Sequence, residues 1–263
     1  MKIALSAILC VLAVPAFLEA VVKTELVKYR QGDTELQGFL AYDDAAIGKR
    51  PGILVCPEWW GLNDYAKYRA RMLAELGYVA MAVDLFGNGQ TTRDPQVAGK
   101  LAGALKSNRS LLRQRVNAGL EEFKRNGHVD AARIGAIGYC FGGTTALELA
   151  RSGADVKAIV TFHAGLDSPN PADGKNIKGR VLVCHGGDDT FSSASDFDAF
   201  EQEMRQNRVD WQINIYGNCV HSFTNPEADK YGIPGIAYNA NGDRRSWHAM
   251  QALFSEVFGP ASR

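Results

Sequence analysis

This sequence of 263 residues has no excess of positive or negative charge. Its 29 Lys and Arg residues balance 29 Asp and Glu residues, so the formal net charge at pH 7 is zero. It also lacks a basic or acidic tail, which argues against a nucleic-acid-binding protein. With 46% hydrophobic and 22% charged residues, the composition suits one large globular domain, which we place at residues 21–263. We expect no nucleic-acid partner.

Long apolar runs are scarce, and the one that begins the chain has the order of a targeting segment. It extends from Ile3 to Val14, follows a lysine and precedes a proline and small residues, as in a secretory signal peptide. It is too short for a membrane-spanning helix, which needs about 20 apolar residues. We predict a signal peptide at residues 1–20, cleaved after Ala16 or Ala20. The mature protein is then periplasmic or secreted, without a stable membrane span, and it is cytoplasmic if the segment is not functional.

Cysteine is also scarce, with five in the chain, and the spacing matches neither a zinc site nor a dense disulfide framework. Cys56, Cys184 and Cys219 each lie in or just after an apolar strand-like run, so we predict buried core residues. A disulfide between Cys184 and Cys219 is an open alternative in an oxidising compartment. Cys10 falls within the predicted signal peptide. Cys140 has a different setting.

Strand-like and helix-like patterns alternate along the chain. Two strand-like segments flank the turn "QGD" and predict an N-terminal hairpin. Six further strands alternate with helical segments, and we place them at "GILVCP", "YVAMAVDLF", "RIGAIGY", "VKAIVTF", "RVLVCH" and "WQINIY". A long helical region is predicted between the second and third of these. The alternation predicts an α/β fold with a doubly wound, mostly parallel sheet, whose functional sites lie at the carboxyl ends of the strands.

Cys140 stands between a predicted strand and a predicted helix in the segment "GYCFGG". Gly138, Gly142 and Gly143 surround it in the pattern G-x-C-x-G-G, because a sharp strand–nucleophile–helix turn tolerates only small neighbours. The helix N-terminus behind it offers N–H groups and a positive dipole end, and both favour a thiolate. We predict that Cys140 is a nucleophile. The alternative is a structural cysteine in a glycine-rich turn.

A thiol nucleophile needs a base, and the base needs an orienting acid. His221 lies beyond the last strand and follows the nucleophile and the acid in the chain order of an α/β-hydrolase. The acid is expected in "HGGDDTF", where Asp188 and Asp189 are adjacent. Spacing leaves open which of the two faces the histidine. A turn before a helix, which favours aspartate and glycine, is the alternative explanation of this segment.

The segment "CPEWWGLND" follows the first predicted strand after the hairpin. In an α/β-hydrolase, the oxyanion hole takes one backbone N–H from such a loop and one from the residue after the nucleophile. These would be the N–H groups of Trp59 and Phe141. Glu58, between the strand end and two tryptophans, is either a structural carboxylate or a proton acceptor for the thiol.

Together these segments resemble the dienelactone hydrolase family of α/β-hydrolases. Four motifs match in order, "PEWWGLND", "GYCFGG", "GGDDTF" and "HSF", and with "AYNANGDRRSW" the resemblance extends from Thr24 to Gly259. It implies an α/β-hydrolase fold and an enzyme that hydrolyses esters or lactones. The chain is also similar to dienelactone-hydrolase-like phosphotriesterases.

The resemblance also implies roles for individual residues. Cys140 becomes the nucleophile, His221 the base and Asp189, which fills the family's acid position, the orienting acid. Glu58 is expected to contact the resting thiol and to help deprotonate it when substrate binds. No metal or other cofactor is implied, and the protein is expected to be a monomer or a homodimer.

One departure from the family concerns the substrate. Members that cleave dienelactones place an arginine shortly after "HSF" to hold the substrate carboxylate, whereas this chain has Thr224 and Asn225. An uncompensated carboxylate in an apolar pocket is costly, so we expect a small, neutral, hydrophobic ester, lactone or phosphotriester. The side chains predicted to line its pocket are Trp60, Phe86, His163, Phe191, Ser222 and Phe223.

Sulfur at the nucleophile position suits such substrates, because thiolate leaves carbon and phosphorus more easily than alkoxide does. A metal-independent Cys-His-Asp hydrolase with promiscuous activity on aryl phosphotriesters is therefore the main prediction. One alternative is a metal-dependent phosphotriesterase that uses His185, Asp188 or Asp189, and His221 as ligands. The other is a non-catalytic binding protein on the same fold.

Overall fold

The computed structural model describes residues 21–260. The predicted signal peptide, with Cys10, lies outside these residues. Within the described part of the chain, none of the helices combines the length and the apolar character that crossing a membrane requires.

The eight strands found in residues 21–260 form one sheet, in the order β1-β2-β4-β3-β5-β6-β7-β8. β1 pairs with β2, and β2 with β4, in antiparallel fashion, while the remaining neighbours are parallel. The predicted hairpin and the mostly parallel, doubly wound sheet of an α/β-hydrolase fold are thereby confirmed. The strands are β1 (Val22–Gln31), β2 (Thr34–Asp43), β3 (Arg50–Cys56), β4 (Val79–Val83), β5 (Val129–Tyr139), β6 (Ala158–Phe162), β7 (Arg180–Gly186) and β8 (Trp211–Tyr216).

Six α-helices in the described part of the chain cover the sheet. They are α1 (Asp64–Glu75), α2 (Pro95–Ser107), α3 (Arg109–Lys124), α4 (Phe141–Arg151), α5 (Ala194–Gln206) and α6 (Ala240–Phe258), with short 3₁₀ turns at Pro171–Asn176 and Ala228–Tyr231. The long helical region expected after β4 is two helices. Asn108 separates them, because its backbone leaves helical geometry and its side chain caps α3 by accepting a hydrogen bond from the N–H of Leu111.

The core has two halves, one on each face of the sheet. Residues of α2, α3, α4 and α5 pack on one face, and residues of α1 and α6 pack on the other. The central strands β4 and β6 are buried along their whole length, which is why they are continuous apolar runs without polar alternation. Cys56, Cys184 and Cys219 are buried free thiols, so the alternative of a Cys184–Cys219 disulfide is not adopted.

A buried ion-pair network fixes α4, the helix that begins just after Cys140. Arg151 is fully buried and donates to both carboxylate oxygens of Glu203 on α5, at 2.8 and 2.6 Å. It also donates to Glu148, one turn earlier, at 3.1 Å. Arg113 of α3 completes the network by donating to the other oxygen of Glu148 at 2.7 Å. Three helices are thus joined behind the candidate nucleophile.

Candidate active site

Cys140 occupies a strained turn between β5 and α4, with φ of 52° and ψ of −120°, where a side chain is normally disfavoured. Glycine is required around it for steric reasons. A Cβ atom on Gly138 would lie 2.0 Å from the carbonyl oxygen of Gly142, and one on Gly142 would lie 2.1 Å from that of Cys56. Gly143 is crowded in the same way. The glycine pattern therefore has the physical cause that the sequence suggested.

Asp189 and His221 form a buried pair beside this turn. The distance from His221 Nδ1 to Asp189 Oδ2 is 2.8 Å, and Asp189 also accepts a hydrogen bond from the N–H of Phe191 at 2.9 Å. Although burial raises the pKa of Asp189, the hydrogen bond and charge of His221 bring it below its ordinary value. The adjacent Asp188 is exposed. Of the two aspartates, Asp189 is the one that contacts the histidine.

His221 and Cys140 line the same cavity. Burial lowers the pKa of His221, but its interactions with Cys140 and Asp189 outweigh burial and raise the pKa to about 10. The imidazolium form is therefore favoured at neutral pH. A positive ring next to the sulfur stabilises negative charge on it.

This coupling predicts that Cys140→Ala lowers the pKa of His221. The substitution removes the negative partner that opposes burial, so the ring should lose its proton at a lower pH than in the parent protein. Titration of the His221 ring by NMR, from pH 5 to 11, measures the difference. The ring of exposed His248 on α6 is the internal reference, and equal His221 values in parent and variant would contradict the coupling.

Glu58 has partners other than those expected. Its carboxylate is buried and accepts hydrogen bonds from Ser222 Oγ at 2.9 Å and from Asn225 Nδ2 at 2.7 Å. Burial raises its pKa, while these two hydrogen bonds oppose the rise. The hydrogen bonds of Glu58 thus go to Ser222 and Asn225 rather than to the Cys140 thiol. Glu58 instead joins the loop after β3 to the loop that carries His221.

The residues at the position of the family's arginine are also turned inward. Asn225 is fully buried against Glu58, and Thr224 Oγ1 lies 2.7 Å from Tyr65 Oη and 2.7 Å from His163 Nε2. Arg69, itself buried, donates to the carbonyl oxygen of Thr224 at 2.5 Å. These contacts hold the His221 loop from below and place no cation at this position in the pocket.

A cavity of about 310 Å³ opens over Cys140 and His221. Trp59, Phe141 and Phe191 form its aromatic wall. The backbone N–H of His221 donates to the carbonyl oxygen of Gly235 at 3.1 Å. The neighbouring Ile236 also lines the cavity. Phe191, predicted as a pocket residue, is thus on the wall.

The other five predicted pocket residues lie behind the wall, and here the expectation needs correction. All five are buried, and none of them lines the cavity. Aromatic and polar side chains near a strand end are as useful for supporting a site as for lining it. Trp60 stacks on Tyr231, Phe86 on Phe141, His163 contacts Thr224, Ser222 contacts Glu58, and Phe223 packs near Tyr216.

One wall of the cavity is formed by α2 and was not expected from the sequence. Gly99, Ala102, Gly103 and Lys106 share one face of α2 and line it. Their i, i+3, i+4, i+7 spacing shows that they share a helix face, but not what that face covers. Smaller contributions come from Thr144, Gly165 and Ser192.

The metal alternative needs a cluster of ligands. His185 Nε2 lies 3.8 Å from Asp189 Oδ2, which also contacts His221, while Asp188 is exposed. In residues 21–260, no group of three or more His, Cys, Asp or Glu side chains is arranged to hold a metal ion.

The strand order and the glycine-framed turn after β5 define the class of protein, an α/β-hydrolase. The family follows from comparison of the sequence: the model of the dienelactone hydrolase family matches residues 36–258. The chain belongs to this family and is a hydrolase of esters or lactones.

Two solved structures and one relative illustrate the similarity. The chain is 48% identical to a protein named m3DLH, with a TM-score of 0.88, over 90% of this chain and 99% of that one. It is 44% identical, at the same TM-score and coverage, to a dienelactone hydrolase-like promiscuous phosphotriesterase from metagenomic libraries. It is also 27% identical to a putative carboxymethylenebutenolidase of Aquifex aeolicus, over 82% of this chain and 94% of that protein.

Proposed function

We propose that this protein is a cysteine hydrolase of small, neutral, hydrophobic esters and lactones, with promiscuous activity on aryl phosphotriesters. The observation that carries the proposal is the 2.8 Å contact between Asp189 and His221, with His221 and Cys140 lining the same apolar cavity. Cys140 stands there on a strained turn. Covalent catalysis needs this combination of nucleophile, base and orienting acid.

In the first half-reaction, the Cys140 thiolate attacks the ester carbonyl carbon, and the carbonyl π electrons move to oxygen. The N–H groups of Trp59 and Phe141 stabilise that oxyanion. Phe141 is the first residue of α4, so its N–H has no partner within the helix. When the tetrahedral intermediate collapses, the C–O bond to the leaving group breaks. The His221 imidazolium gives its proton to the departing alkoxide, which leaves as an alcohol.

In the second half-reaction, neutral His221 takes a proton from water as the water oxygen attacks the thioester carbon. The C–S bond then breaks, the acid product leaves, and Cys140 returns as thiolate beside the imidazolium. Asp189 keeps the ring in one orientation throughout and stabilises its positive charge. The overall reaction consumes one water and needs no oxidant, reductant or cofactor.

The walls of the cavity support a neutral substrate. They are mostly apolar, and the lysine among them, Lys106, is paired with Asp167 at 3.7 Å. A substrate carboxylate that entered the cavity would lose its hydration, and the positive charge of Lys106 that could replace it is already partly compensated by Asp167.

The phosphotriester activity rests on the similarity to a promiscuous phosphotriesterase and on the chemistry of sulfur. Attack of thiolate on phosphorus expels aryloxide and leaves a thiophosphoryl intermediate. Water then displaces the sulfur, a better leaving group than the alkoxide of a serine, so the enzyme is not trapped.

An intact-mass time course tests the proposal. Protein in EDTA is mixed with 4-nitrophenyl acetate or with an aryl dialkyl phosphotriester, and mass and product release are followed together. We expect an acyl or phosphoryl adduct that forms and decays with turnover in the parent and in the matched control Cys219→Ala, which changes a buried cysteine away from the cavity. Cys140→Ala should form no adduct.

Two results would overturn the proposal. Turnover that persists in Cys140→Ala would exclude the cysteine as nucleophile. Loss of parent activity in EDTA, restored by added metal, would favour metal-assisted hydrolysis around His185, Asp189 and His221.

A further inference from the structure

Two glycines lie in the middle of α2, at positions 99 and 103. Glycine destabilises a helix interior relative to alanine, because it loses more backbone freedom on folding. Neither residue has the positive φ at which glycine is favoured. The backbone therefore gives no reason for glycine at either position.

Packing gives no reason either. A Cβ atom on Gly103 would meet no atom within 4 Å, and one on Gly99 would meet Trp59 Cζ3 at 3.8 Å, an ordinary contact. Gly119 of α3 provides the contrast, because its Cβ would lie 2.8 Å from Val83 Cγ1. Alanine would thus fit α2 at both positions in the free protein.

Both glycines line the cavity that contains Cys140 and His221, where Gly99 is half-buried and Gly103 is exposed. The space that their missing side chains leave is part of this cavity, and Gly99 lies beside Trp59 of its aromatic wall. Glycine at a helix position where a Cβ atom would fit is explained if a bound molecule occupies the space that the side chain would fill.

We propose that Gly99 and Gly103 reserve room for an apolar substituent of aromatic-ring size on the substrate, so that α2 sets the size limit of the site. This inference rests on the proposed function and names the substrate class: esters and phosphotriesters with at least one aryl-sized group. Each glycine should then lower the stability of the free protein and allow a large substrate to bind.

The test compares two esters of different size in Gly103→Ala, Gly103→Val and the parent. The large ester is 4-nitrophenyl benzoate, and the small activated ester is trifluoroethyl acetate, followed in a pH-stat. We expect the ratio of kcat/KM, large to small, to fall about tenfold in Gly103→Val and less in Gly103→Ala. Gly103→Ala should also raise Tm by about 2 °C.

The matched control is Ala104→Val, which adds a branched side chain to the next, exposed position of the same helix, outside the cavity lining. Its ratio should equal that of the parent. An unchanged ratio in both Gly103 variants would overturn the inference. So would equal slowing on the two esters, which indicates that α2 must move rather than leave space. If Gly103→Val does not fold, the ratio in Gly103→Ala decides.

Intact mass of the same proteins in trifluoroethyl acetate separates this inference from the proposed function. An acetyl adduct on Cys140 with an unchanged ratio means that the size inference is wrong while the cysteine mechanism stands. No adduct on Cys140 in a turning-over parent means that the proposed function is wrong, whatever the ratio shows.

Discussion

Replacing Asp189 by asparagine is expected to lower kcat by about 10⁴-fold, whereas the same substitution at Asp188 should leave it nearly unchanged. The reason is the buried contact of 2.8 Å between Asp189 Oδ2 and His221 Nδ1. An asparagine there removes the charge that stabilises the imidazolium, and its NH₂ group favours the wrong tautomer of the ring. Asp188 is exposed, so its amide would meet water.

Steady-state kinetics on an aryl acetate measure this pair, with circular dichroism to show that both variants are folded. The pH dependence adds a readout that a structural effect alone would not change. Without the carboxylate, the pKa of His221 should fall below its value of about 10. If Asp188→Asn loses as much activity as Asp189→Asn, or if Asp189→Asn stays within tenfold of the parent, the assignment of the orienting acid is wrong.

Replacing Arg151 by methionine is expected to cost about 3–5 kcal/mol in the free energy of unfolding. The guanidinium is fully buried and satisfies both oxygens of Glu203 and one of Glu148. Methionine fills a similar volume but leaves these carboxylates buried with less compensation. The surface pair of Arg205 and Glu201 is the control, because Arg205 is 63% exposed and an exposed pair contributes less than about 1 kcal/mol.

Urea unfolding of Arg151→Met and Arg205→Gln gives the two free energies directly. The double variant Arg151→Met/Glu203→Met should recover part of the loss, because it removes one of the stranded carboxylates, while Glu148 keeps its hydrogen bond from Arg113. A double variant less stable than the single one would show that packing, rather than the uncompensated charge, determines the cost.

The fold and the turn around Cys140 could be predicted because both depend on local sequence. Apolar runs such as β4 and β6 indicate strands buried on both faces. A Cβ atom on Gly138 would clash within the turn itself, whereas Gly142 and Gly143 are crowded by Cys56 and Ala164. The three glycines still form a readable sequence pattern, because all of them lie within three residues of the nucleophile.

The pocket could not be predicted in the same way. Trp60, Phe86 and Phe223 are apolar and close to strand ends, but they are buried behind the wall, while Gly99 and Gly103 line the cavity. Periodicity tells which residues share a face of an element, not which other element that face will meet. The packing of α2 over the sheet determines which of its residues line the cavity.

The sequence by itself thus determined the α/β sheet and the position of the cysteine turn, which leave local patterns, and its motifs resembled those of the family. Only the tertiary structure decided between Asp188 and Asp189, and paired Glu58 with Ser222 and Asn225. Neighbouring residues of the same type differ by burial and by contacts with segments far along the chain. Those contacts form only when the strands have paired in the sheet and the loops at their carboxyl ends are in contact.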